Sequence, residues 1–169
     1  MKFSDFVVAE AVIPELSATD RNAVIRELVS ALATAGRLSA EESAEISKAV
    51  IQRENQGSTG FGKGVAVPHA KHPKVETVIA AIGRSSAGVD FSALDRAPVY
   101  TVILLLSPPT QVKTEASGGA HRPDPHLQAM ENIFTHLQRE NFRRFLRQAT
   151  TREAILDLLH EADEMRDNG

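Results

Sequence analysis

Val99-Tyr-Thr-Val-Ile-Leu-Leu-Leu106 is an apolar run of strand length that stops at Ser107-Pro108-Pro109. It opens with β-branched and aromatic residues and shows no in-out alternation, so it predicts a central strand buried on both faces. A strand of this kind needs a layer on each side. Val78-Ile-Ala-Ala-Ile82 is a second apolar run and Val65-Ala-Val67 a shorter third, so the chain reads as α/β, with helices covering a sheet.

The helices are legible on both sides of these strands. Ser17-Ala-Thr-Asp20 has the form of a capping box, followed at helical spacing by Val24, Ile25, Leu28 and Leu32, with Gly36 as a stop. Ser39-Ala-Glu-Glu42 opens a second helix whose apolar face holds Ile46, Ala49 and Val50 and which frays at Arg53-Glu54-Asn55. Before them, Phe6-Val7-Val8 and Val12-Ile13 predict two short extended pieces, ended by Pro14. Towards the other end, Asp124-Pro125 suits a cap and a first helical turn, with Leu127, Met130, Ile133, Phe134 and Leu137 as the inward face. Phe142, Phe145 and Leu146 mark a short helix, and Thr150-Thr-Arg-Glu153 caps a last one carrying Ile155, Leu158, Leu159 and Ala162. Residues 110–125 show no periodicity and read as an inserted loop. No repeat or linker divides the chain, so residues 1–169 are expected to form a single domain.

Composition narrows the function classes. With 42% hydrophobic and 24% charged residues the chain is ordinary for a globular protein, and a net charge of -3 gives no reason to expect nucleic acid. The second helix begins with Ala40-Glu41-Glu42, which would repel phosphates in any helix-turn-helix arrangement. Cysteine is absent, which excludes disulfides, thiolate zinc sites and a cysteine nucleophile. No run approaches the roughly 18 apolar residues of a membrane span, so a cytoplasmic location without membrane insertion is expected.

The chemistry gathers in Gly57–Pro73, GSTGFGKGVAVPHAKHP. Taken alone, its four glycines suit a mobile loop, either a plain connection or a cradle of backbone N–H groups for a phosphate. Its first half nearly spells a nucleotide-binding P-loop but places Gly64 where Ser or Thr must hold magnesium, and Pro68 breaks the helix that should follow. His69 ends the short strand after the loop, and an imidazole, with an ordinary pKa of about 6.5, is a good nucleophile near neutrality. No cofactor and no metal is expected: neither H-E-x-x-H nor G-x-S-x-G occurs, although pairing of His69 with His72, or of His121 with His126, remains as a minor zinc alternative. His72, His121 and His136 read as surface residues and His160 as part of a solvated helix face.

Arg53-Glu54, then Ser58-Thr59-Gly60-x-Gly62-x-Gly64-x-Ala66-x-Pro68-His69-Ala70, then the strand ending at Pro108, then His126-Leu127 at a helix start, resemble the EIIA component of the fructose/mannitol class of the bacterial phosphotransferase system, a class that includes nitrogen-regulatory EIIA proteins. The resemblance covers nearly the whole chain. It implies a mixed β-sheet flanked by helices on both faces, His69 as the phosphorylated residue, His126 as the assisting histidine and Arg53 as the arginine beside the phosphoryl group. Ser58, Thr59, Gly60 and Gly62 are then the expected phosphate-binding residues. The implied donor is an HPr-like phosphocarrier, and the implied acceptor an EIIB component or, in the alternative, a regulatory protein whose binding depends on phosphorylation. The loop at 110–125 is longer than the family's usual connection.

Overall fold

A computed structural model of the chain describes residues 1–57, 60–91, 96–109 and 124–167. Its helices are α1 (Phe3–Phe6), α2 (Arg21–Thr34), α3 (Ala40–Gln56), α4 (Pro125–Leu137), α5 (Glu140–Gln148) and α6 (Arg152–Asp167). Its strands are β1 (Val7–Ile13), β2 (Gly60–Gly62), β3 (Val65–Ala66), β4 (His69–Lys71), β5 (Ile79–Val89) and β6 (Val99–Ser107). The sheet runs β1-β5-β6-β3-β2, with β4 also on β6. β1 is parallel to β5, and β3 and β4 are parallel to β6, while the β5–β6 and β2–β3 pairs are antiparallel. The sheet is therefore mixed.

β6 takes the central place that its composition demands. Val102, Ile103, Leu104, Leu105 and Leu106 are all fully buried, and each such side chain contributes about 1.5–3 kcal/mol on leaving water. Alternation along the strand sends Val102, Leu104 and Leu106 into a core shared with α2 and α3. Ile103 and Leu105 enter a second core shared with α1 and α4 to α6. Two helical layers thus enclose one sheet.

β3 and β4 lie along β6 in one constant register: Val65 faces Thr101, Ala66 faces Val102, and His69, Ala70 and Lys71 face Leu105, Leu106 and Ser107. They are one extended path interrupted at Pro68, which has no N–H to give but accepts a bond from the Leu105 amide at 3.0 Å. Among the described residues β2 pairs with β3 alone, so the path beyond Ala66 has no further strand partner there, and a proline is tolerated.

Several local expectations change. Phe6 closes the short helix α1 instead of opening a strand, because the Asp163 carboxylate accepts the amides of Phe3 at 2.7 Å and Ser4 at 3.0 Å and so stabilises the helix start. Asp20, not Ser17, caps α2 by accepting from the Ala23 amide, while the Ser17 amide bonds the Glu27 carboxylate. Thr151, one residue past the expected Thr150, accepts from the Ala154 amide at the start of α6. Ser39 caps α3 with Glu42 as read. β5 runs beyond Ile82 to Val89. Leu127, expected to face inward, is 63% exposed, and His136, expected at the surface, is buried between Phe3 and Phe142. Asp124 caps α4 and Pro125 opens it; residues 110–123 of the expected insertion lie outside the described residues.

Candidate functional site

The ends of β4 and β6 and the start of α4 converge. Residues two apart on a strand share a face, and residues in register on neighbouring strands point the same way, so His69, Lys71 and Ser107 lie on the side of Leu105, which packs beneath α4. Asp124 accepts the His126 amide at 3.0 Å and Pro125 supplies the first turn. This start aims His126 down onto that face: its ring is 5.7 Å from the His69 ring, centroid to centroid, and tilted by 49°.

Each imidazole has one nitrogen committed. His69 Nδ1 is 2.9 Å from the Val67 carbonyl, which can only accept, so Nδ1 carries the proton and the neutral ring keeps its lone pair on Nε2. His126 Nδ1 is 2.6 Å from the hydroxyl of Ser107, a fully buried residue. Among the described residues that nitrogen is the acceptor found for the hydroxyl, so O–H donation leaves neutral His126 with its proton on Nε2. One ring therefore presents a lone pair and the other an N–H donor.

The charges favour that pairing. His126 is held below the usual histidine range, chiefly by burial and further by electrostatic repulsion from Lys71 and the neighbouring His69 ring, with Asp124 opposing. Lys71 Nζ lies 3.5 Å from Asp124 Oδ2 at the rim of the site. An anion set between the rings would meet an ammonium and an N–H, with the amides of the first turn of α4 close by.

Not every expected residue is gathered here. Arg53 stands exposed in the last turn of α3, and its described hydrogen bond runs 3.2 Å to the Gly57 carbonyl. Gly60 and Gly62 are strand residues: Gly60 pairs with Ala66, on the side towards His69, and Gly62 with Val65, farther from it. The stretch from Gly60 to Ala66 is thus a hairpin and not an irregular loop, turned by Lys63 and Gly64 at φ 58° and 83°, as a two-residue primed turn requires. Ser58 and Thr59 lie outside the described residues. Among the described residues no group of three or more metal-ligating side chains occurs, and His121, expected as a possible partner of His126, also lies outside them.

Sequence reasoning passed over Ser107 and Lys71. Ser107 was visible as the polar end of an apolar strand, and Lys71 as the residue two after His69 on the same strand, but only the register places them together. Among the described residues no helix is long and apolar enough to cross a membrane.

Comparison with known proteins bears on this arrangement. The family described as phosphoenolpyruvate-dependent sugar phosphotransferase system, EIIA 2, matches residues 5–162. The chain is 32% identical, over 97% of its length, to the fructose-specific EIIABC component of the phosphotransferase system of Bacillus subtilis, of which it spans only 24%. It is 31% identical to a nitrogen regulatory protein of Bradyrhizobium diazoefficiens, the match covering 94% of this chain and 95% of that one. In fold it is similar to the structure of the complex of enzyme IIAMTL and phosphorylated enzyme IIBMTL from Escherichia coli, with a TM-score of 0.69 at 21% identity, covering 91% of this chain and 96% of that one. The chain belongs to the EIIA 2 family of the phosphoenolpyruvate-dependent sugar phosphotransferase system.

Proposed function

We propose that the protein is a phosphoryl carrier in which His69 Nε2 takes a phosphoryl group from the phosphohistidine of an HPr-like phosphocarrier and passes it to an EIIB component. The observation that carries this reading is the bond from His69 Nδ1–H to the Val67 carbonyl, which leaves Nε2 as the nucleophilic nitrogen.

In the forward step the Nε2 lone pair forms a new P–N bond as the donor's P–N bond breaks, and the donor imidazole leaves with the bonding pair. Nδ1 keeps its proton throughout, so the phosphorylated ring is a phosphoryl imidazolium whose positive charge faces the Val67 carbonyl oxygen. That charge keeps the ring a good leaving group for the onward step, because neutral imidazole is released. Phosphoryl transfer asks the protein mainly for positioning and for stabilisation of charge on the oxygens. His126 supplies an Nε2–H donor fixed by Ser107, and Lys71 supplies a nearby cation. Arg53, bonded to the Gly57 carbonyl, is assigned to the phosphoryl oxygens when a partner docks, Ser58, Thr59 and Gly60 to binding the same group, and Gly62 to shaping the hairpin with β3.

The regulatory reading, in which phosphorylation controls binding to a partner without sugar transport, is favoured by one observation: the nitrogen regulatory protein matches this chain over nearly the full length of both. The two readings share the same first step. Incubation with phosphoenolpyruvate, enzyme I and HPr, followed by intact mass, is expected to add one acid-labile phosphoryl group to wild type and none to His69→Ala. Transfer onward to an EIIB from the same cell then supports the carrier, whereas retention against every EIIB, with a partner bound only in one phosphorylation state, supports the switch.

A further inference from the structure

At the opposite end of β6 from Ser107 lies a cavity of about 210 Å³ that none of this chemistry uses. At the rise of a strand, Tyr100 and Ser107 are on the order of 23 Å apart along β6. Lys63 and Gly64 of the hairpin turn, Pro98 and Tyr100 from β6 and its approach, and Arg143 and Arg147 of α5 line the cavity.

Its cations are placed by construction. Arg147 lies over the Tyr100 ring, its guanidinium carbon 3.6 Å from the centroid, and its backbone carbonyl accepts from Arg84 Nε at 2.6 Å. The ring in turn lies against two glycines at positive φ: a Cβ on Gly64 would come within 3.3 Å of it, and one on Gly88 within 3.2 Å, besides meeting Pro98 at 2.8 Å. Stacking occupies the face of the guanidinium and leaves its edge of N–H donors turned outwards. Arg143 is tethered through one nitrogen to the Leu137 carbonyl at 2.5 Å. Among the described residues neither Arg143 nor Arg147 makes an ion pair with a carboxylate. In a chain of net charge -3, two such arginines and a lysine from three separate elements around one small cavity form a concentrated positive site.

We propose that this cavity is a second anion site, distinct from the histidine centre, that binds a small phosphate-bearing molecule through the Arg143 and Arg147 guanidinium groups and Lys63. Planar forks match phosphate oxygens two at a time, and a space of about 210 Å³ suits a phosphate or diphosphate group and not a nucleic-acid helix. The site is independent of whether His69 carries phosphate, and the test keeps the two apart.

Arginine Nε–H resonances of His69→Ala protein are followed while inorganic phosphate, and separately pyrophosphate, is added. Saturable shifts at Arg143 and Arg147 are expected, with pyrophosphate binding more tightly than phosphate. Arg147→Gln should weaken binding about tenfold, the effect of losing a charge-assisted bidentate contact. Lys63→Gln, at an exposed turn, should weaken it by a smaller but measurable factor, since it removes one positive charge. Shifts that fail to saturate, or saturable binding that survives unchanged in the folded Arg143→Gln/Arg147→Gln double variant, read there at the backbone amides of Lys63, Gly64 and Tyr100, overturn the proposal.

Discussion

Removing the Ser107 hydroxyl tests whether the orientation of His126 matters to phosphoryl transfer. In Ser107→Ala the 2.6 Å contact to His126 Nδ1 is lost at a place where Ser107 is fully buried and His126 only 7% exposed, so the nitrogen is left without a donor and without water. Leaving such a group unsatisfied costs about 1–3 kcal/mol. The ring escapes part of that cost by moving its proton to Nδ1, and then Nε2 offers a lone pair, which repels phosphoryl oxygens, in place of an N–H. At about 1.4 kcal/mol per factor of ten, phosphoryl acceptance by His69 should slow by roughly tenfold to a hundredfold. The assay is rapid-quench transfer from phospho-HPr, read by intact mass. A lost tautomer would also be seen directly, because the two imidazole nitrogens of neutral His126 exchange their characteristic 15N shifts. A variant that folds, accepts phosphate within twofold of wild type and keeps His126 protonated on Nε2 refutes the reasoning.

Two further outcomes follow from the packing around His126 and Gly83. His126 has its pKa lowered in the folded state, first by burial and then by Lys71 and His69, so between that lowered value and the unfolded value of about 6.5 the unfolded chain binds more protons. Stability from this group is therefore complete above about pH 6.5 and falls as pH drops through the folded pKa; urea unfolding from about pH 7.5 to about pH 5 should show a steeper loss for wild type than for His126→Gln, and equal slopes would contradict it. A methyl added at buried Gly83 would sit 2.6 Å from Leu16 Cδ2 and 2.9 Å from its Cγ, so Gly83→Ala should destabilise by about 1–3 kcal/mol in urea titration, and Gly83→Ala combined with Leu16→Ala should cost less than the sum of the two single changes.

Much of this architecture was readable because single residues carried one-to-one physical meanings. Val99 to Leu106 could only be a strand covered on both faces, Ser39 with Glu42 a helix start, and Asp124-Pro125 another. The misreadings come from partners outside the local pattern. α1 is four residues long and has no periodicity to show; what supports it is Asp163, near the other end of the sequence. Ser17 had the form of a cap, but Glu27 claims its amide and leaves the cap to Asp20. His136 looked like a surface residue because nothing local reveals the Phe3 and Phe142 rings around it.

The site divides in the same way. His69 and His126 stood out by their neighbours: a proline and a glycine-rich approach for one, a helix start for the other. Their mutual distance, and the roles of Ser107 and Lys71, depend on β4 lying on β6 in one register, with His69 opposite Leu105 and Lys71 opposite Ser107. The glycine-rich stretch misled in one respect. Alternating glycines suggested a loop, whereas Gly60 and Gly62 serve as ladder positions of a hairpin whose primed turn needs Gly64 at positive φ.

The central claim is that His69 is phosphorylated and that its nucleophile is Nε2, because Nδ1 is held by the Val67 carbonyl. The most direct measurement is the site of attachment in uniformly 15N-labelled protein phosphorylated by phosphoenolpyruvate, enzyme I and HPr. Phosphorus–nitrogen coupling to Nε2 of His69, with Nδ1 still protonated, is the predicted result. Coupling to Nδ1, coupling to a different histidine, or no phosphohistidine at all would contradict it.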